Sequence, residues 1–213
     1  MKTNSLKFQV ALFFLLIGLF QTQAQQTEYF IFEKQEIALP DFKVDGLILD
    51  IGGGGEGVIG QLKGDQVISI DLYKDELENA PSTNLKIVMD ATDLKFLDNT
   101  FDAAAIFYTM MYIPADKHEK VFLELYRTLK SGAKLRIWDV NLPTHCDDNK
   151  KKGVIYPFIF RLPNKTIETG YGVAWAKKEE QNMAYYIKIA EKIGFKTVDK
   201  KEANPSFYLE FQK

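Results

Sequence analysis

Three short apolar runs in the first half of the chain each lead straight into an aspartate, and this repeated pairing narrows the fold more than any other feature. GLILDI (Gly46–Ile51) carries Asp50 near its end and feeds directly into GGGGEG. QVISI (Gln66–Ile70) is closed by Asp71, and KIVM (Lys86–Met89) by Asp90. Two further runs follow, Ala103–Tyr108 after the turn DNTFD and Leu135–Val140 after SGAK. Continuous apolar runs of this length, separated by helix-sized segments, read as central parallel strands covered on both faces.

The intervening segments agree. Residues 115–130 carry Val121, Phe122, Leu125 and Leu129 on one face, which leaves His118 on the polar, solvated face; Ser131-Gly132 supplies a stop. Residues 177–193 repeat the pattern with Met183, Tyr186, Ile187, Ala190 and Ile193, ended by Gly194. Tyr29–Phe32 reads as a short strand, and Phe195–Asp199 and Phe207–Phe211 as closing strands. The fold class is α/β, a doubly wound Rossmann-like sheet with helices on both faces. One insertion interrupts it: Val154–Trp175, two aromatic-rich halves about Pro163-Asn164, is expected to be a hairpin.

The 24 residues at the start differ from the rest. Met1–Ala24 contains no acid and only Lys2 and Lys7 as charges, then the apolar run Val10–Phe20, with Thr22 and Ala24 at −3 and −1. These are the parts of a secretory signal peptide cleaved after Ala24, leaving residues 25–213 as the exported, periplasmic or secreted domain. The apolar run spans about half of a ~30 Å hydrocarbon layer, so a permanent membrane helix is disfavoured. The alternative is an uncleaved tail on a cytoplasmic protein. Lys+Arg 27 against Asp+Glu 29 leaves a formal charge of −2, which argues against nucleic acid as a partner. One cysteine, Cys146, excludes an internal disulfide, and with only two histidines no metal centre is expected.

In such a sheet ligands bind at the carboxyl ends of the strands where the winding reverses. There the chain places Asp50 and four successive glycines, which allow positive φ and a close approach of backbone to ligand. Gly52-x-Gly54-x-x-Gly57 matches the dinucleotide fingerprint, with Asp71 available for a ribose. An acid directly before the glycines repels a pyrophosphate, however, and suits a ligand bearing an ammonium or sulfonium charge. That points to S-adenosylmethionine, with a nicotinamide-dependent oxidoreductase as the less favoured reading. Asp71 can accept both ribose hydroxyls, or cap a helix instead. Asp90-Ala91 is placed for an adenine edge, or Asp90 caps a turn.

Taken in order, LILDIGGGGEG, VISIDLYKDEL, KIVMDATDLKFLDNTFD and LYRTLKSGAKLRIWDV resemble the class I S-adenosylmethionine-dependent methyltransferases, in particular a small branch that ends in an antiparallel strand. The resemblance covers residues 44–140, and 177–213 by pattern. It implies a mostly parallel sheet with an antiparallel final strand and S-adenosylmethionine as cofactor. It also implies methyl transfer to a small-molecule acceptor. Asp50, Gly52, Gly54, Asp71, Asp90, Ala91 and Phe107 are then the cofactor-side residues. Tyr108, Tyr112, Tyr171 and Trp175 are candidates for the acceptor side, with 154–175 as an acceptor lid. No catalytic residue is assigned; His145 and Cys146 lie after the fifth strand without a third partner. The chain departs from the family at Glu56, which stands at the third glycine unless an extra glycine shifts that role to Gly57. It departs again at Met110-Met111-Tyr112, where many relatives carry histidine. The competing reading is an exported, non-catalytic or repurposed small-ligand-binding protein on the same fold.

Overall fold

The computed structural model describes residues 28–145 and 151–213; the leader and Cys146 lie outside them. In chain order the elements are β1 (Tyr29–Ile31), β2 (Gln35–Ala38), β3 (Ile48–Ile51), α1 (Val58–Lys63), β4 (Val67–Asp71), α2 (Lys74–Asn79), β5 (Leu85–Val88), β6 (Phe101–Phe107), α3 (Ala115–Thr128), β7 (Leu129–Val140), β8 (Gly153–Leu162), β9 (Lys165–Ala174), α4 (Met183–Ile193), β10 (Lys196–Ala203) and β11 (Ser206–Gln212). They form two compact units, residues 42–141 with 181–213, and residues up to 41 with 142–180.

The larger unit is a seven-stranded sheet in the order β10-β11-β7-β6-β3-β4-β5. β3, β4, β5, β6 and β7 pair in parallel, while β11 runs antiparallel to both β7 and β10. The chain winds outward from β3 through β4 to β5, then returns to the other side of β3 for β6 and β7. Right-handed crossovers in opposite directions put α1 and α2 on one face and α3 on the other. The α3/α4 face is apolar: Leu49, Ile51, Ile70, Ala104, Ile106, Leu135, Ile137, Leu209 and Phe211 from the strands pack with Val121, Phe122, Leu125, Tyr186 and Ala190 from the helices. The opposite face carries a polar row. Ser69, Asp50, Ala105, Arg136 and Glu210 stand side by side across five strands, because each is the register partner of the next.

Several boundaries moved. α3 stops at Thr128 and β7 begins at once, so Ser131-Gly132 belongs to the strand rather than to a helix stop. Phe101 opposes Leu129 but Ala103 opposes Lys134; the surplus residues on β7 bulge out around Gly132, whose φ is 79°. α4 starts at Met183, not at 177, because the Asn182 side chain accepts the Tyr185 N–H at 3.0 Å and caps the helix there. His118 is fully buried, contrary to the expected solvated position. It lies three residues before Val121 and four before Phe122, which is the buried stripe of α3 itself.

The smaller unit is built on the antiparallel pair β8/β9, joined by the two-residue turn Pro163-Asn164. β1 and then β2 add in parallel along β8: Ile31 opposes Ile155 and Gln35 opposes Phe158, so one extra residue is looped out between them. β2 was not anticipated from the sequence. Phe32, Tyr156, Phe158 and Phe160 stack in succession, with centroid separations of 4.8, 6.5 and 5.2 Å. Among the described residues no helix is long and apolar enough to cross a membrane.

Phe122 is fully buried and meets Phe195 and Phe211 edge-on. Replacing it with alanine is expected to destabilise the larger unit by about 3–5 kcal/mol, read as a lower urea midpoint with an unchanged slope.

Candidate functional site

The reversal of winding falls between β3 and β6, and the crevice beyond the carboxyl ends of these strands is where this sheet can hold a ligand. Asp50, on β3, is 1% exposed and accepts a hydrogen bond from the Ser69 hydroxyl at 2.9 Å. Burial pushes its carboxyl up to about 7; the Ser69 bond opposes that rise and the negative charge of Asp71 adds to it.

The glycine loop turns immediately after Asp50. Gly52 has φ 70°, and the N–H groups of Gly52 and Gly53 both donate to the Ile70 carbonyl, at 2.8 and 3.0 Å. The loop is thereby folded across the end of β4. Its glycines lie against carboxylates: a Cβ on Gly53 would meet Asp50 Oδ2 at 2.2 Å, and one on Gly54 would meet Asp71 Oδ2 at 2.9 Å and Glu76 Cβ at 2.6 Å. Glu76, on α2, is buried beside them and was not picked out from the sequence.

Asp71 closes β4. Its Oδ1 accepts from the Tyr73 N–H at 3.0 Å, while Oδ2 is buried with no hydrogen-bond partner. Leaving such an oxygen unpaired costs about 1–3 kcal/mol, so it is poised for a ligand hydroxyl. Leu72, the next residue, is 53% exposed and offers an apolar surface beside it. The Met89 N–H donates to the Asp71 carbonyl at 2.9 Å, which brings Asp90-Ala91 alongside. Asp90 Oδ1 accepts both the N–H and the hydroxyl of Thr92 at 2.8 Å, and the Thr92 N–H is the main reason its carboxyl is held low. One oxygen of Asp90 therefore serves the turn.

Past β6 the backbone is strained. Tyr108 adopts φ 50°, a region that a bulky residue occupies only under constraint. Its N–H donates to the Trp138 carbonyl at 2.7 Å and its hydroxyl donates to Ser206 at 3.2 Å. Tyr108 is 2% exposed, with its hydroxyl pushed up by burial, so it is part of the wall rather than an open contact surface. Phe107 meets both Tyr108 and Trp138. Tyr112 is half-buried in the short turn Met110–Tyr112. Asp139, fully buried at the end of β7, accepts the Met110 N–H at 2.8 Å, and His118 bridges the Ile113 carbonyl at 2.8 Å and the Tyr185 hydroxyl at 3.1 Å. Burial keeps the His118 imidazole below its ordinary range.

Asp50, Gly52, Gly54, Asp71 and Asp90-Ala91 are thus gathered on adjoining strand ends, with Phe107 across the crevice. Tyr171 and Trp175 belong to the smaller unit, where Tyr171 packs on Phe158 and Phe160 and the Trp175 indole donates to the Lys151 carbonyl at 2.9 Å. Ser69, Glu76, Leu72 and Asp139 escaped the sequence reading. Among the described residues no group of three His, Cys, Asp or Glu side chains is placed to hold a metal ion.

Comparison with known proteins gives this arrangement its context. Residues 49–137 match the family model described as "Methyltransferase domain". The chain is 30% identical over 165 residues to a sterol methyltransferase-like protein of Botryococcus braunii, which covers 70% of this chain and 38% of that protein. It is 36% identical over 72 residues to a ubiquinone/menaquinone biosynthesis C-methyltransferase of Desulfotalea psychrophila, covering 34% of this chain and 26% of that one. The chain therefore spans well under half the length of these relatives. A phosphoethanolamine N-methyltransferase of Haemonchus contortus, solved in complex with S-adenosyl-L-methionine, superposes with a TM-score of 0.54 at 22% identity over 77% of this chain and 36% of that one. Residues 49–137 thus match a methyltransferase domain, and the chain shares the fold of S-adenosylmethionine-dependent methyltransferases of known structure.

Proposed function

We propose that this protein transfers the methyl group of S-adenosylmethionine to a small apolar acceptor. The observation that carries the proposal is Asp71: a buried carboxylate oxygen without a partner, at the end of the second strand and beside a glycine that only a bare backbone could fill. S-adenosylmethionine supplies an electrophilic methyl group on a cationic sulfur. Asp71 would hold the ribose hydroxyls, and the exposed Leu72 face would lie along the base. Asp90-Ala91 would meet the edge of that base. Asp50, nearly uncharged in the empty protein at pH 6, would ionise against the cofactor's cationic group, and the buried lip Phe107–Tyr112 would exclude water from the transfer path. Tight positioning supplies most of the acceleration for such a reaction, so the chain needs no dedicated acid–base pair when the acceptor is already nucleophilic.

One relative is named as sterol methyltransferase-like and the other for ubiquinone/menaquinone biosynthesis, both chemistries of apolar ring systems, and the aromatic sheet face carrying Tyr171 is compatible with such an acceptor. Residues 154–175 are proposed as its lid, with Tyr171 and Trp175 as contacts. The leader, residues 1–24, supports export, and with it a second reading in which the same crevice binds an adenosyl-type ligand without turning it over.

Asp71→Ala is expected to weaken S-adenosylmethionine binding about 10–100-fold, the worth of a charged hydrogen bond or two, as measured by isothermal titration. NAD should give no heat, and tight NAD binding would overturn the proposal. Gly54→Ala should weaken binding comparably, since its Cβ has no room between Asp71 and Glu76.

Asp50 generates a pH prediction. Its folded value of about 7 lies above the ordinary 3.8, so the empty protein loses stability as pH rises from about 4 through 7. Cationic cofactor binding draws on the ionised form, so affinity should rise from pH 5.5 to 7.5 with proton release near pH 6.5, visible as a buffer-dependent binding enthalpy. A flat profile excludes Asp50 from the cofactor's cationic group. On the acceptor side, Tyr171→Ala should raise the acceptor KM in quinone and sterol assays while cofactor Kd stays within twofold.

A further inference from the structure

Behind Asp50 runs a short relay of side chains that no cofactor contact requires. Ser69 is fully buried on β4 and is the register partner of Asp50. Its hydroxyl donates to Asp50 Oδ2 at 2.9 Å. Asn84, 5% exposed at the start of β5, places Nδ2 2.9 Å from Ser69 Oγ, 3.2 Å from the Leu85 carbonyl and 3.4 Å from the Val67 carbonyl. The two carbonyls at that end of the amide fix it as the nitrogen, because an oxygen there would face both of them without a proton between. A hydroxyl that already accepts from Asn84 has its proton left for Asp50. Each link in the chain Asn84 to Ser69 to Asp50 therefore has a set direction.

We infer that Ser69 and Asn84 are positioning residues that set the ionisation of Asp50, and through it the pH at which this domain takes up its cationic cofactor. The inference rests on the reading that Asp50 faces that cofactor. The loop above the relay supports it. The Gly53 backbone is packed so closely over Asp50 and Ser69 that an added Cβ would meet Asp50 Oδ2 at 2.2 Å and Ser69 Oγ at 2.5 Å. In low-dielectric surroundings one directed donor outweighs what it would contribute in water. Of the other charges, Asp71 on β4 acts on Asp50 directly, Glu76 on α2 lies with Asp71 against Gly54, and Lys86 and Arg136 stand in the same cross-sheet row. Lys86 is engaged by the Ala80 carbonyl, and Arg136, paired with Glu210, stands two strands away from Asp50.

The test is the pH profile of binding, by isothermal titration of the full chain with S-adenosylmethionine and separately with S-adenosylhomocysteine between pH 5.5 and 8.5. Ser69→Ala removes the donor and should move the midpoint upward by about one pH unit. Affinity then falls about eightfold at pH 6.5 and less than twofold at pH 8.5. Asn84→Asp turns the relay around by offering Ser69 a stronger acceptor, and should move the midpoint at least as far. Ser69→Thr keeps the donor and should hold it. A loss of affinity that is the same at every pH, or an unmoved midpoint in both Ser69→Ala and Asn84→Asp, overturns the inference. Asp50→Asn is the separate control: it should abolish the profile, and a profile that survives it refutes the cofactor contact of Asp50 rather than the relay. Should Ser69→Ala fail to fold by circular dichroism, Asn84→Asp carries the same decision alone.

Discussion

A carboxylate in the middle of a sheet covered on both faces has to be compensated, and in this protein that requirement falls on Asp50. It stands in the central strand β3, 1% exposed, with strands on either side and a glycine loop on top. Water cannot reach it, so its only options are a donor, a counter-charge or a proton. The fold supplies a donor, the Ser69 hydroxyl. Asp71 adds a second buried carboxylate with an oxygen left unpaired. Two buried acids, one of them with an unpaired oxygen, make this strand end negative and hydroxyl-seeking. Such an end costs stability in the empty protein and returns it when a cationic, ribose-bearing ligand binds there.

The glycines follow from the same constraint. Gly53 and Gly54 are not needed for φ alone; they are needed because carboxylate oxygens occupy the space a Cβ would take. Gly52 does both, with φ 70° and Thr109 against its Cα. This explains why Glu56 can stand where relatives carry a glycine. It sits two residues past the crowded stretch, and only Gly55 and Gly57 around it use left-handed backbone, at 60° and 55°.

Much of this was legible in the sequence because it is local. Strand, acid and turn are contiguous, so GLILDI before four glycines announces both the strand end and the crevice. The mostly parallel sheet and its antiparallel closing strand followed from the family likeness. What stayed hidden depends on pairs far apart in the chain. Ser69 looks like a neutral strand residue until it is set opposite Asp50, and β2 finds its strand partner more than a hundred residues away. His118 was misassigned for a different reason. Its polarity outweighed its spacing, although the three- and four-residue intervals to Val121 and Phe122 put it on the buried stripe.

The lip after β6 shows how such distant pairs become function. Tyr108 at φ 50° is costly, on the order of 1–3 kcal/mol for a bulky side chain, and nothing in the local sequence MMYIP favours it. Its N–H and hydroxyl are tied to the Trp138 carbonyl of β7 and to Ser206 of β11, while the turn after it is tied by Asp139 to the Met110 N–H and by His118 to the Ile113 carbonyl. Every one of these contacts is inside the larger unit. They fix the wall facing the cofactor crevice before any ligand arrives. No binding energy is then consumed in ordering that wall. The strain at Tyr108 is thus offset within the fold itself, by its contacts to β7 and β11.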